Sequence, residues 1–163
     1  MSHLGPDDII SYDEDLKRNS LYTVIKKIGA GAQGTILLIR KDEELFAAKV
    51  FKYYTDYSNK SFDLIIGESN PLLEINFGLK INHSYIIKGV DFVMGQRYIF
   101  YIMKKADIDL GSFFKIYNFP INDRLQIIFR LACGFDYIHK CGYVHGDIKS
   151  INISFASFIE WLL

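Results

Sequence analysis

The alternation of apolar and polar positions divides the chain into a strand-rich first half and a helical second half. Runs rich in β-branched and aromatic residues are separated by short turns that contain glycine or charged residues. Such runs are typical of strands, and the short connections favour an antiparallel meander in the first fifty residues. The predicted strands lie at positions 22–28, 35–39, 45–51, 86–92 and 98–103, with a hairpin turn at 94–97.

Helical signals mark three segments. Asn70 followed by Pro71 predicts a helix over 71–80, because asparagine caps free N–H groups and proline fits the first helical position. A short helix is predicted at 110–117, before Pro120. Beyond it, apolar residues recur at intervals of three and four, which predicts a long helix with one buried face, capped by Asn122 or Asp123. The predicted buried face consists of Leu125, Ile128, Leu131, Ala132, Phe135 and Ile138.

These elements predict an α+β protein in two parts. Residues 1–20 are polar and acidic and show no regular period, so we expect a mobile acidic leader that contributes little to a core. Residues 21–103 would form a mostly β lobe with one helix. Residues 104–163 would form a mostly helical part.

Composition narrows the class of protein. Of 163 residues, 50% are apolar and 23% are charged, which is typical of a globular chain. Nineteen basic residues balance nineteen acidic ones, so the formal net charge is zero. The chain therefore has no overall positive charge that would favour binding to nucleic acid or to an anionic membrane. Two cysteines, Cys133 and Cys141, fit a reducing compartment. We therefore expect a soluble, cytoplasmic protein with no nucleic-acid or membrane partner.

Three glycines, Gly29, Gly31 and Gly34, lie between the first two predicted strands. Because glycine has no Cβ, the backbone N–H groups of such a turn can approach phosphate oxygens. The same spacing occurs in dinucleotide-binding folds, but there the last glycine begins a helix, whereas here a strand follows. The alternative is a purely structural glycine-rich hairpin.

Lys49 lies inside an apolar run of the third predicted strand. Its burial would require a carboxylate or a phosphate close to the ammonium group. Glu74, on the predicted helix, and Glu68 are the candidate carboxylates. The alternative is a lysine on an edge strand whose side chain reaches solvent.

A third motif follows the long helix, in the loop from His145 to Asn152. Asp147, Lys149 and Asn152 provide a base, a cation and a metal-binding amide within a few residues, a set that few structural loops require. A zinc site is not expected here, because the spacing of the cysteines and histidines matches no zinc pattern: Cys133, His139, Cys141 and His145.

In this order, from Ile28 to Ile153, the motifs resemble the eukaryotic-type serine/threonine protein kinase family. The resemblance implies a protein kinase-like fold, with an antiparallel β-sheet N-lobe containing one helix and a mostly helical C-lobe. It implies ATP and Mg²⁺ as cofactors, and transfer of the γ-phosphoryl group to a serine or threonine hydroxyl of a protein substrate. Asp147 is then similar to the catalytic base, Lys149 to the phosphate contact and Asn152 to the magnesium ligand.

The same resemblance implies a nucleotide site in the first half of the chain. Lys49 is similar to the lysine that holds the α- and β-phosphates. Glu74 precedes His83 by nine residues, the family's usual spacing, which favours Glu74 over Glu68 as the partner of Lys49. The implied nucleotide-binding residues are Ile28, Gly29, Ala30, Gly31, Ala32, Gln33, Gly34, Ile36, Ala47, Lys49, Glu74, Met103, Lys104 and Ala106. Among them, Met103 resembles the gatekeeper, and the backbone of Lys104 and Ala106 resembles the hinge that contacts adenine.

The sequence also departs from the family's pattern. Gly146 replaces the arginine that precedes the catalytic aspartate, which argues against regulation by a phosphorylated activation loop. After Asn152 the family continues to an Asp-Phe-Gly motif, but no aspartate follows Asp147 here, so we expect an incomplete C-lobe. Three alternatives to an active kinase stay open: a nucleotide-binding pseudokinase, a decoy that binds a partner protein, and a non-functional remnant.

Overall fold

The computed structural model describes residues 6–31, 34–52 and 71–155. Five strands form an antiparallel sheet in the order β1-β2-β3-β5-β4, and two short strands, β6 and β7, form a second sheet. The strands are Thr23–Gly31 (β1), Gly34–Lys41 (β2), Glu44–Lys52 (β3), Gly89–Met94 (β4), Tyr98–Lys104 (β5), Ile108–Asp109 (β6) and Ser154–Phe155 (β7). The helices are Pro6–Lys17 (α1), Pro71–Lys80 (α2), Leu110–Ile116 (α3) and Ile121–Lys140 (α4), with a 3₁₀ turn at Ser150–Asn152.

The chain divides into two compact units. The first contains Met1–Lys80 and Gly89–Lys105, and therefore the five-stranded sheet with α1 and α2. The second contains Ile81–Lys88 and Ala106–Leu163, with α3, α4 and the small sheet. The predicted α+β class and the antiparallel sheet are confirmed. In the part of the chain that the structure describes, no helix is both long enough and apolar enough to cross a membrane.

The central strands of the large sheet, β3 and β5, are buried on both faces. On β3, every residue from Phe46 to Phe51 is buried. Side chains alternate between the faces of a strand, so a continuous buried run requires cover on each side. On β5, Phe100 packs with the cluster that contains α1, while Ile99 packs with Ile75 of α2. The two helices therefore lie against opposite faces of the sheet.

The expectation of a mobile leader is wrong for Pro6–Lys17, which form α1. Leu16 is fully buried and Tyr12 is nearly so, within the core on one face of the sheet. The sequence did contain a signal for this helix. Proline stands at its first position, and Ile9, Tyr12 and Leu16 recur at intervals of three and four.

Asp15 anchors α1 to the turn between β4 and β5. Its carboxylate is 2% exposed and accepts hydrogen bonds from the backbone N–H groups of Gln96, Arg97 and Tyr98, at 2.7, 3.1 and 3.1 Å. A Cβ atom on Gly95 would overlap this carboxylate, so the close approach of helix and turn requires glycine at that position. These hydrogen bonds stabilise a charge that would be costly to bury alone.

The bounds of the long helix differ from those predicted. α4 has Pro120 as its N-cap residue, so Asn122 and Asp123 lie inside the helix and do not cap it. By contrast, α2 has the predicted bounds, Pro71–Lys80. Its predicted cap, Asn70, lies outside the described residues.

α4 buries only part of the predicted face, with Ile138 buried as predicted. Ile127, Gly134 and Ile138 are its buried residues, whereas Leu125 and Ile128 are mostly exposed. The helix carries apolar residues around much of its circumference, so their spacing alone does not select a face. Packing within the second unit makes the selection, because Ile127 joins a cluster with residues from α3 and β7.

Replacement of Asp15 by alanine should lower the free energy of unfolding by about 3 kcal/mol, because three backbone N–H groups lose their buried acceptor. Chemical denaturation followed by circular dichroism measures the change. Asp136→Ala is the matched control, since Asp136 is exposed on α4 and pairs with Lys140 at the surface. The control should change stability by less than about 1 kcal/mol. Equal effects of the two substitutions would contradict the anchoring role of Asp15.

Candidate functional site

In the first unit, an ion pair joins β3 to α2. Lys49 Nζ lies 2.8 Å from Glu74 Oε1 and 2.7 Å from Oε2. Lys49 is 9% exposed, while the Glu74 side chain is 41% exposed. Because β3 lies between β2 and β5, the edge-strand alternative for Lys49 is wrong. Glu68, the other candidate partner, lies outside the described residues.

The sheet brings several predicted nucleotide-site residues onto one face. Ala47 and Lys49 are two positions apart on β3 and therefore share a face. Their cross-strand partners lie beside them: Met103 is opposite Ala47, and Ile36 is opposite Lys49. The predicted residues of this unit lie on β1 (Ile28, Gly29, Ala30, Gly31), β2 (Gly34, Ile36), β3 (Ala47, Lys49), α2 (Glu74) and β5 (Met103, Lys104). Ala106 belongs to the second unit.

The glycine-rich segment forms an antiparallel hairpin, with Gly31 of β1 paired to Gly34 of β2. Gly34 has a φ of 126°, and a Cβ atom there would lie 2.6 Å from the backbone oxygen of Val50. Only glycine therefore fits at this position. Ala32 and Gln33 lie outside the described residues. A strand follows Gly34, which excludes the dinucleotide-binding alternative, where a helix would follow.

In the second unit, the loop after α4 gathers the side chains of Asp147, Lys149 and Asn152. Lys149 Nζ lies 2.8 Å from Asp147 Oδ2. Asn152 Nδ2 donates to the same oxygen at 3.0 Å and to the Asp147 backbone oxygen at 2.9 Å. The Asp147 N–H donates to His145 Nδ1 at 3.2 Å, a contact that supports the loop backbone. Gly146 has a φ of 72°, a left-handed conformation that glycine adopts without strain.

Backbone pairing holds the carboxyl side of this loop. The N–H of Leu110 donates to the oxygen of Ile153 at 2.7 Å, and β7 pairs with β6. Asp109 ends β6 and caps α3 by accepting from Ser112 N at 2.9 Å. Hydrogen bonds from Ser112 hold the pKa of Asp109 below its ordinary value. The loop is thus built onto a core of Leu110, Phe113, Ile127 and Phe155.

Electrostatics favour a charged Asp147. The hydrogen bond from Lys149 is the main cause that lowers its pKa below the ordinary 3.8, and Asn152 and His145 act in the same direction. Asp147 is therefore a carboxylate at neutral pH, able to accept a hydrogen bond from a hydroxyl group. Since the Asn152 amide nitrogen is bonded to Asp147, its oxygen is the atom suited to a magnesium ion.

Among the described residues, no group of three or more histidine, cysteine, aspartate or glutamate side chains is arranged to hold a metal ion. Cys133 and Cys141 are free thiols. The amide oxygen of Asn152 and the carboxylate of Asp147 are hard oxygen ligands of the type that Mg²⁺ takes in ones and twos, with phosphate oxygens and water completing its shell. The side chains of the loop therefore fit a magnesium ion whose other ligands are phosphate oxygens and water.

Sequence reasoning missed Tyr101. This residue is the cross-strand partner of Lys49, and burial together with the charge of Glu74 raises its pKa to about 12. The available signal was its place two residues before Met103, which puts both side chains on one face of β5.

The chain is similar in sequence to known protein kinases. Residues 22–157 match the model of the family described as protein kinase domain. The chain is 29% identical over 140 residues to the probable serine/threonine-protein kinase fhkB of Dictyostelium discoideum, across 84% of the chain and 12% of that protein. It is 30% identical over 138 residues to the serine/threonine-protein kinase ICK of Rattus norvegicus, across 81% and 20%. It is 30% identical over 141 residues to the sporulation protein kinase mde3 of Schizosaccharomyces pombe, across 81% and 24%. The chain thus spans less than a quarter of each relative.

Replacement of Lys149 by methionine should raise the pKa of Asp147 towards 3.8, because the carboxylate loses its main stabilising partner. Carbon-detected NMR of the carboxyl group across a pH titration measures the shift. In the unchanged chain the folded-state pKa lies below the unfolded value. The pair therefore contributes stability above pH 3.8, and this contribution is lost as the pH falls through the folded-state pKa. Lys140→Met is the control and should leave Asp147 unchanged; an equal shift in both variants would argue against the pair.

Proposed function

The chain belongs to the protein kinase domain family, and on that premise we propose that it binds ATP with Mg²⁺ and transfers the γ-phosphoryl group to a serine or threonine hydroxyl of a protein substrate. The observation that carries the proposal is the contact of Lys49 with both oxygens of Glu74. A cytoplasmic location is part of the proposal, and the free thiols Cys133 and Cys141 support it.

The Lys49–Glu74 pair is suited to phosphate. A lysine ammonium carries three N–H donors, and Glu74 accepts two hydrogen bonds, so the third donor can serve a phosphate oxygen. The half-exposed carboxylate leaves the pair accessible from solvent on one side. Glu74 holds the ammonium in place, and the phosphate then meets a cation that needs little reorganisation.

The sheet offers a suitable surface for the rest of the nucleotide. Ile36, Ala47 and Met103 share the face of Lys49 and present apolar side chains on which a purine ring could pack. The hairpin at Gly31 and Gly34 carries N–H groups with little steric cover, which is what phosphate oxygens require.

The loop in the second unit supplies the groups for transfer. Asp147 accepts a hydrogen bond from the substrate hydroxyl and orients its oxygen towards the γ-phosphorus, while Lys149 neutralises charge on the phosphoryl oxygens. The oxygen–phosphorus bond forms, the bond from the γ-phosphorus to the β–γ bridging oxygen breaks, and ADP leaves. The hydroxyl proton passes to Asp147, late in the step because the lowered pKa makes this carboxylate a weak base. Asn152 would hold a magnesium ion, which neutralises phosphate charge when bound.

ATP binding should depend on Lys49. Lys49→Met removes the ammonium with little change in volume, and we expect ATP to bind about ten-fold more weakly or worse, a loss of at least ~1.4 kcal/mol. Isothermal titration calorimetry on the 163-residue chain with Mg-ATP measures the affinity. Lys140→Met, which removes a lysine from an exposed ion pair, is the control and should bind as the unchanged chain does. Equal affinities for all three proteins would refute the nucleotide site.

Phosphoryl transfer should depend on Asp147. Asp147→Asn keeps the shape but removes the charge that accepts the proton, so we expect the rate to fall by about 100-fold or more. Transfer of radiolabelled γ-phosphate to a mixed library of serine- and threonine-containing peptides measures it. Asp136→Asn is the matched control, because Asp136 also pairs with a lysine but lies on the surface of α4. If the unchanged chain binds ATP yet transfers no more phosphate than Asp147→Asn, it is a nucleotide-binding module and the catalytic half of the proposal fails.

A further inference from the structure

The ring of Tyr101 lies in a notch formed by two glycines, Gly78 on α2 and Gly89 on β4. A Cβ atom on Gly78 would overlap the Tyr101 hydroxyl oxygen and would lie 2.7 Å from Cζ of the ring. A Cβ atom on Gly89 would lie 2.7 Å from Cε2 of the ring and 2.9 Å from the carbonyl carbon of Gly78. Carbon atoms do not approach so closely, so the ring fits only because both positions are glycine. We call this feature the glycine notch.

The glycine notch lies directly beside the Lys49–Glu74 pair. Tyr101 and Lys49 are opposite each other on β5 and β3, so their side chains leave the sheet together on one face. Glu74 and Gly78 are four positions apart on α2 and therefore lie one above the other on one face of the helix. The sheet and the helix thus make two adjacent contacts, one ionic and one between a ring and a glycine.

The position of Tyr101 is tightly constrained. Its side chain is almost fully buried and packs with Ile75 of α2 and with Phe51 and Ile99 of the sheet. Burial, together with the nearby charge of Glu74, raises the pKa of the phenol, which is therefore neutral at all physiological pH values. A rigid aromatic ring at this place determines how near α2 can come to the sheet.

We propose that Tyr101 is a positioning residue: its ring, held in the glycine notch, sets the separation between α2 and the sheet at which Glu74 reaches Lys49. Only the consequence for nucleotide binding rests on the proposed function. The positioning of α2 by Tyr101 does not require a nucleotide. A purely structural role would predict loss of stability on mutation without a change in the interaction between Lys49 and Glu74.

The test begins with a matched pair of helical glycines. Gly78→Ala places a methyl group against the Tyr101 ring, whereas a Cβ atom on Gly134 of α4 would have its nearest neighbour at an ordinary 3.5 Å. Helix propensity alone favours alanine in both helices. We therefore expect Gly78→Ala to lower the midpoint of denaturation and Gly134→Ala to leave it unchanged or raise it.

The decisive readout is a double-mutant cycle between Lys49→Met and Glu74→Gln, measured by denaturation without nucleotide. The coupling of the two side chains should fall by about half or more in the Gly78→Ala background, and should persist in the Gly134→Ala background. A second change, Tyr101→Leu, makes room for the new methyl group and should restore part of the coupling. Unchanged coupling in folded Gly78→Ala would overturn the proposal.

If Gly78→Ala does not fold, Tyr101→Leu alone carries the test, because it removes the ring from the notch without adding a methyl group. The coupling between Lys49 and Glu74 should fall in this variant, and full retention would overturn the proposal. Since the cycle contains no nucleotide, its outcome is independent of ATP binding. Failure of the proposed function would appear instead as equal ATP affinity in the unchanged chain and in Lys49→Met.

Discussion

An ammonium group on a central strand must meet a negative charge, and much of the first unit is arranged around that requirement. Lys49 lies in the middle of β3, between two neighbouring strands and beneath α2. Its partner Glu74 comes from a different element, so the ion pair links the position of the helix to the position of the sheet. Any movement of α2 away from the sheet would leave a buried cation without its anion, at a free-energy cost that few other contacts impose.

The first unit contains a second buried charge, and the contrast between the two is informative. Asp15 is satisfied by three backbone N–H groups of one turn, which occupy most of the acceptor capacity of a carboxylate. Among the residues that the structure describes, Lys49 pairs with a single carboxylate, that of the half-exposed Glu74, and retains a donor. The Asp15 arrangement is closed and therefore structural, since it holds α1 on the sheet. The Lys49 arrangement is open to a further anion, which is what a phosphate-binding group requires.

The loop of the second unit depends on local rather than long-range contacts. Asp147, Lys149 and Asn152 lie within six consecutive residues, and their side chains bond to one another over that short stretch. The core of the unit contributes the platform, through β7 and the cluster around Phe113 and Phe155. The spacing of these residues thus determines the side-chain contacts within the loop, and the rest of the unit holds the ends of the loop in place.

The sequence by itself determined the five strands of the large sheet to within about three residues, the bounds of α2, and the residues of the two motifs, because those signals act over a few neighbouring positions. It did not predict the short strands β6 and β7, which form only by pairing with each other. Glu74 could also be chosen as the partner of Lys49, because it precedes His83 by the nine residues that are usual in the family that the motifs resemble. Tertiary structure alone decided that Ile127 rather than Ile128 faces the core, that Asp15 accepts from a turn about eighty residues away, and that Tyr101 lies between two glycines. Each of these outcomes depends on atoms that are distant along the chain, and the shape of a space between elements is not encoded in the periodicity of any one of them.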